Sequence, residues 1–380
     1  MTVQANSSTR SPSPVETLLA LVNANGPSLH GGPSVDWERV LALAERHWLE
    51  PLLHERLQPL LDALPQRVRS TLHRARMESA AHTMFHEWEQ RQIVQTFQEQ
   101  KIPLILFKGI PLAQQLYGDP TLRRTCDIDV LVHVEDIAVS RRLVEELGWS
   151  PKESWQSFVD KNYDYTKEIN GATAILELHW SNQREGEYHL PEARLWQEAV
   201  ETEAGWLFTR EMTLLTLVLH TVRHAFRPYR QLVDIAHAVA TWNDLLDWER
   251  VLTLADEANA QRTLAVVLAL VHRDLAAPLP QHPTLTSLLL SRRTQWTIRL
   301  LPAERLLLKS SLSTIERYWV PLASGAWQPA RFFFSDLIRT PTQLAEIYNL
   351  PENSPLIPLY YLFRPLLLAR KYIKQLRRNT

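Results

Sequence analysis

Residues 101–134, KIPLILFKGIPLAQQLYGDPTLRRTCDIDVLVHV, decide the fold. The apolar run Leu104 to Phe107 has the length of a short buried strand. Lys108-Gly109 ends it, and residues 110–118 read as a short helix closed by Gly118. A loop follows, and residues 126–134 return to strand. Alternate residues of a strand share a face, so Asp127 and Asp129 project together while Ile128 and Val130 point to a core. Further on, residues 135–148 read as a helix with Gly148 as its cap. Residues 161–169 and 172–180 read as two strands around Asn170-Gly171, a strong two-residue hairpin signal. In the second of these, Ile175, Glu177 and His179 share one face, and Leu176, Leu178 and Trp180 the other. Glu177 is an isolated acid in an apolar strand, which calls for a metal, a basic partner or a solvated edge.

Outward from this block the texture is helical. The chain has only 10 glycines, with none between Gly32 and Gly109 or between Gly205 and Gly325. Such stretches, rich in Leu, Ala, Arg and Glu, favour helix. The expected organisation is a disordered tail (1–15), a helical region (16–100), an α/β core (101–205), a helical domain facing it (206–280) and a C-terminal helical region (281–380). The fold class is α+β, mostly α, with a small mixed sheet flanked by helices.

Composition removes several functions. Lys+Arg 41 against Asp+Glu 42 leaves no global basic field, so strong duplex nucleic-acid binding is not expected. One cysteine, Cys126, permits neither an internal disulfide nor a cysteine-based zinc site, which fits a reducing, cytoplasmic setting. No glycine-rich nucleotide loop is present. No apolar run reaches the ~18 residues of a membrane span.

The candidate chemistry gathers around the acids. Two carboxylates converging from a rigid strand suit divalent metal ions. At the Lys108-Gly109 junction, backbone N–H groups at a helix start suit phosphate, with Lys108 as a point charge. Arg123 and Arg124 precede the acidic strand and can reach a triphosphate or the acids. Downstream, His220 and His224 stand four residues apart on a helix, a spacing that suits zinc, but without a companion Glu or Cys. With Thr216 and Arg227 they form a polar stripe, and Arg230, Asp234 and His237 form another on the next helix. Trp155, Trp180, Trp196 and Trp206 are candidates for stacking a base, against the ordinary role of core residues. The basic end, Arg370, Lys371, Lys374, Arg377 and Arg378, reads as a solvated helix face or an anionic contact.

The stretch FKGIPLAQQLYGDPTLRRTCDIDVLV resembles the core of the uncharacterised nucleotidyltransferase family, within the polymerase-beta-like superfamily. Lys108, Gly109, Tyr117, Arg123, Asp127 and Asp129 carry the likeness, with Glu177 to Trp180 resembling a later acidic-apolar-His-Trp string. A looser similarity extends over most of residues 36–260. The chain departs from the wider superfamily in having Lys108-Gly109 for Gly-Ser, Glu177 where Asp is frequent, and Cys126 for a small residue. The resemblance implies transfer of a nucleoside monophosphate from an NTP to an acceptor, with release of pyrophosphate. It implies Asp127, Asp129 and Glu177 as catalytic residues and ligands of two Mg²⁺ ions, and Lys108, Gly109 and Arg123 as contacts of the nucleotide. The acceptor, whether small molecule, protein or RNA, is not specified. A silent nucleotide-binding module and a transferase acting on RNA ends are the alternatives.

Overall fold

We describe the protein from a computed structural model, over residues 12–25, 35–152, 162–169, 171–181, 188, 190–202, 205–308, 341, 344, 351 and 354–366. Trp155 and the basic residues from Arg370 to Arg378 lie outside the described residues.

One seven-stranded sheet organises the molecule. Its strands are β1 (Ile105–Leu106), β2 (Ile128–Leu131), β3 (Ser150–Pro151), β4 (Asn162–Ile169), β5 (Ala172–His179), β6 (Ala199–Thr202) and β7 (Gly205–Phe208). The order is β3-β4-β5-β2-β1-β7-β6. β2 runs parallel to β5 and β1 parallel to β7, while the other pairs are antiparallel. Sequence reading missed β3, β6 and β7. It also drew the end of the α/β core at 205, inside β7. The four residues GWLF run directly into a helical sequence, so their apolar character reads as the start of that helix.

Helices account for most of the rest: α1 (Pro14–Val22), α2 (Trp37–His47), α3 (Glu50–Arg56), α4 (Gln66–Glu99), α5 (Gly109–Tyr117), α6 (Ile137–Glu146) and α7 (Glu192–Gln197). After the sheet come α8 (Arg210–Arg223), α9 (Arg230–Trp242), α10 (Trp248–Glu257), α11 (Gln261–Leu275), α12 (Pro283–Leu290), α13 (Arg292–Leu300) and α14 (Ala303–Leu308). Pro14 and Val15, placed in the tail by sequence, belong to α1, which Ser13 and Glu16 close with a reciprocal capping box. Asp36 caps α2 through the Arg39 N–H. No helix among the described residues is long and apolar enough to cross a membrane.

Two large buried cores divide the work among the described residues. Ile128, Val130, Leu176 and Leu178 fill one side of the sheet against Leu143 and Val144 of α6 and Ile93 and Phe97 of α4. The second core is continuous from α1–α3 through α8–α11 to α14. The helical regions drawn separately in the sequence therefore share one interior, because each amphipathic face buries its stripe against the others.

His47 bolts that interior together. Its Nδ1 accepts the Tyr229 N–H at 3.0 Å, so the proton is on Nε2, which donates to the Leu307 carbonyl at 2.9 Å. A neutral imidazole has one acceptor and one donor, and both are used. Burial lowers the His47 pKa to about 4. Unfolding returns it to its ordinary value, so the unfolded chain binds the extra proton between about pH 6.5 and 4. His47 should therefore contribute stability that is complete above about pH 6.5 and falls by about 1.4 kcal/mol per unit as pH drops to 4. Denaturant unfolding at several pH values should show His47→Gln with a slope shallower by about one proton; an unchanged slope would remove His47 from this role.

Candidate active site

Register places the acids. In the parallel pair β2–β5, Asp129 is the partner of Glu177. Glu177 is in turn the antiparallel partner of Asp164 on β4. Asp127 stands one residue before β2 begins. The carboxylates of Asp127, Asp129, Asp164 and Glu177 line one cavity of about 290 Å³.

Lys108 and the imidazole of His179 reach Asp129. Lys108 Nζ is 2.7 Å from its Oδ1, and His179 Nε2 is 3.3 Å from the same atom and 3.1 Å from Glu177 Oε2. The ionisation states separate accordingly. Burial alone pushes Asp129 up, but Lys108 and His179 together hold it well below the usual carboxylate range. Burial and the charges of Asp129 and Glu177 push Asp127 up to about 7. Burial likewise raises Glu177, and His179 outweighs it, leaving the group below its ordinary value. Burial pushes His179 down, and the two acids hold it above the usual imidazole value. Neighbouring acids driven in opposite directions are the mark of a site with work for each protonation state.

The Lys108-Gly109 junction opens α5 beside these acids. Gly109 has φ +60°, and a Cβ there would meet the Asp127 carbonyl only at 3.6 Å. The glycine is required by its left-handed backbone rather than by crowding. Lys108 and Gly109 both line the cavity.

The opposite wall comes from the α8–α9 turn. His220, Arg223, His224, Arg227 and Arg230 line the cavity from that side. Ala225 and Phe226 take positive φ values of 53° and 62° in succession, which turns the chain sharply between the two helices. Burial first, and then the charge of Lys108, lower the His220 pKa well below its ordinary value. The aromatic residue in the wall is Trp48, which sequence reading did not single out. Arg230 and Arg124 stand 5.3 and 5.8 Å from its ring. Of the tryptophans that were singled out, Trp180 packs on Tyr163 and Trp196 stacks on His133 at 3.8 Å.

Arg123 pairs with Asp234 at the edge of the cavity. It lines the cavity, but its guanidinium, expected on the phosphates, donates from Nε to Asp234 Oδ2 at 3.0 Å and from Nη1 to the Gly109 carbonyl at 3.4 Å. Tyr117 donates its hydroxyl to the other Asp234 oxygen at 2.7 Å. Asp234 is fully buried, and a buried carboxylate must find such partners. The group clamps α9 to both ends of α5. Asp234→Ala should leave the Arg123 charge buried and unpaired, costing about 3–5 kcal/mol. Urea midpoints measure this; a loss under about 1 kcal/mol would mean that the clamp carries little.

A divalent cation fits the acidic wall. Ligand atoms of Asp129, Glu177 and His179 lie within 4.8 Å of one another, and Asp129 and His179 are buried. Sequence reading named Asp127, Asp129 and Glu177 as the metal ligands and did not single out His179. Asp127 shares the cavity without belonging to that compact group.

The solution structure of the antibiotic-resistance factor ANT(2'')-Ia is similar at 18% identity, covering 48% of this chain and 94% of that chain, with a TM-score of 0.31. No curated protein matches the sequence. The family described as uncharacterised nucleotidyltransferase matches residues 33–276, more than half of the chain. That span holds the sheet, the Lys108-Gly109 junction, the carboxylates and the α8–α9 turn, and the chain belongs to the uncharacterised nucleotidyltransferase family.

Proposed function

We propose that the protein transfers a nucleoside monophosphate from Mg²⁺-NTP to an acceptor hydroxyl or amine and releases pyrophosphate. The observation that carries this reading is the opposition of two walls in one cavity, carboxylates from β2, β4 and β5 against arginines from the α8–α9 turn. A polyphosphate with its cations is complementary to both walls at once.

Asp127, Asp129 and Glu177 would hold the magnesium. When bound, it would neutralise charge on the phosphates as the transfer proceeds. Arg230, buried in the opposite wall, and the N–H groups at the start of α5 orient the polyphosphate. Lys108 moves from Asp129 to the β- and γ-phosphates. The acceptor atom forms a bond to the α-phosphorus while the bond to the β-phosphate oxygen breaks. Glu177, held in its ionised form by His179, takes the acceptor's proton. Most of the acceleration then comes from placement and from charges fixed in advance.

The Lys108–Asp129 ion pair also favours a second reading. It neutralises the centre without any metal, as a silent nucleotide-binding module would require. Two experiments separate the readings. Labelled NTP with cell extract should yield a labelled acceptor, and Mg²⁺-NTP should raise the melting temperature. The double variant Asp127→Asn with Asp129→Asn should lose both effects. A thermal shift retained in the double variant would place the nucleotide elsewhere. In the enzyme, Lys108→Ala should lower turnover by on the order of a hundredfold, with a smaller loss of NTP affinity. In the silent module, Lys108→Ala would leave affinity intact, and no variant would show transfer.

A further inference from the structure

His179 is harder to account for than the acids around it. It is buried at the end of β5, with its ring edge-on to Phe107 at 5.1 Å between centroids. Its Nε2 lies 3.3 Å from Asp129 Oδ1 and 3.1 Å from Glu177 Oε2, shared between two carboxylates rather than directed along one. An imidazole kept only for its charge gains most by directing an N–H along one carboxylate lone pair. This nitrogen instead lies between two oxygens, each within reach of a common third atom. Among the described residues, the ammonium on Asp129 is that of Lys108, which approaches the same Oδ1.

We infer that Asp129, Glu177 and His179 form a divalent-cation site with one nitrogen ligand, and that the Lys108 ammonium is the counter-ion which the metal displaces. The inference deepens the proposed function and rests on its placement of metal at these carboxylates. Its new content is the choice of ion. Magnesium takes oxygen ligands and parts reluctantly with its water, whereas imidazole favours first-row transition ions. A site with two carboxylates and one imidazole therefore takes Mn²⁺ ahead of Mg²⁺. Displacement of Lys108 adds a condition. Metal binding must break a buried ion pair, so the free site binds weakly, and binding is helped by any anion that receives the lysine. An NTP supplies such an anion, which makes metal and nucleotide bind together.

The test uses the full chain and Mn²⁺ alone. Free Mn²⁺ is measured by electron paramagnetic resonance, and the bound ion is examined for modulation by a directly bonded ¹⁴N. The wild-type protein should bind Mn²⁺ with ¹⁴N modulation, and Mg²⁺ should compete only in large excess. His179→Gln should lose the nitrogen signature and weaken Mn²⁺ by on the order of tenfold, with a smaller effect on Mg²⁺. Lys108→Met should tighten Mn²⁺ by on the order of tenfold, because no ammonium has to leave. The wild-type spectrum decides the nitrogen ligand even if His179→Gln fails to fold. Bound Mn²⁺ without ¹⁴N modulation would overturn the imidazole ligand and leave the carboxylate site of the proposed function standing. Unchanged affinity in Lys108→Met would overturn the counter-ion role. Absence of Mn²⁺ and Mg²⁺ binding in both wild type and Lys108→Met would overturn this inference and the metal placement beneath it.

Discussion

Parallel pairing of β2 and β5 sets Asp129 beside Glu177, and adjacent like charges repel. Asp127 and Asp164 add to the crowding. The surrounding structure answers that repulsion. Lys108 arrives from the end of β1, His179 from β5 itself, and the arginines from the α8–α9 turn. Asp129 ends far below the ordinary carboxylate value because Lys108 and His179 outweigh its burial, and Asp127 ends well above it because burial and the neighbouring acids outweigh Lys108 and Arg230. A sheet core alone would hold the acids without this compensation.

The helices make the compensation geometrically exact enough to matter. Asp234 receives Arg123 on one oxygen and Tyr117 on the other, so α9 is tied to the start and the end of α5. The same helix carries Arg230 into the cavity. One buried carboxylate thus sets the distance between the Lys108-Gly109 junction and the basic wall. The shared core of α1–α3 with α8–α11 fixes that wall against the rest of the molecule.

Much of the site was legible in the sequence. Two-residue periodicity put Glu177 on the face opposite Leu176 and Leu178, and the structure has those leucines fully buried. The Lys-Gly string marked the start of α5, although Gly109 is needed for its φ rather than for close approach. The pairing of Arg123 with Asp234 was not legible, because the partner lies 111 residues away and no local pattern announces a pairing at that distance. His179 was visible on the correct face but carried no sign that its nitrogen would lie between two acids. β6 and β7 are four-residue strands; β7 is placed by its pairing with β1 and β6 by its pairing with β7, so local propensity underdetermines them. Trp48 was invisible for a similar reason: it ends an ordinary amphipathic helix.

That tryptophan has a consequence for any attempt to transplant the site. Trp48 takes a left-handed backbone, φ 60°, directly after His47, whose ring is held by Tyr229 and Leu307. One wall of the cavity is thereby built from two stretches of chain far apart in sequence, held to a third through the Leu307 carbonyl. A cassette cut at the borders of the sheet would carry the acids and leave this corner behind. Grafting the site onto another scaffold requires the α2–α3 corner and the α8–α9 turn to travel with it, joined through an imidazole that has no tolerance for a second proton.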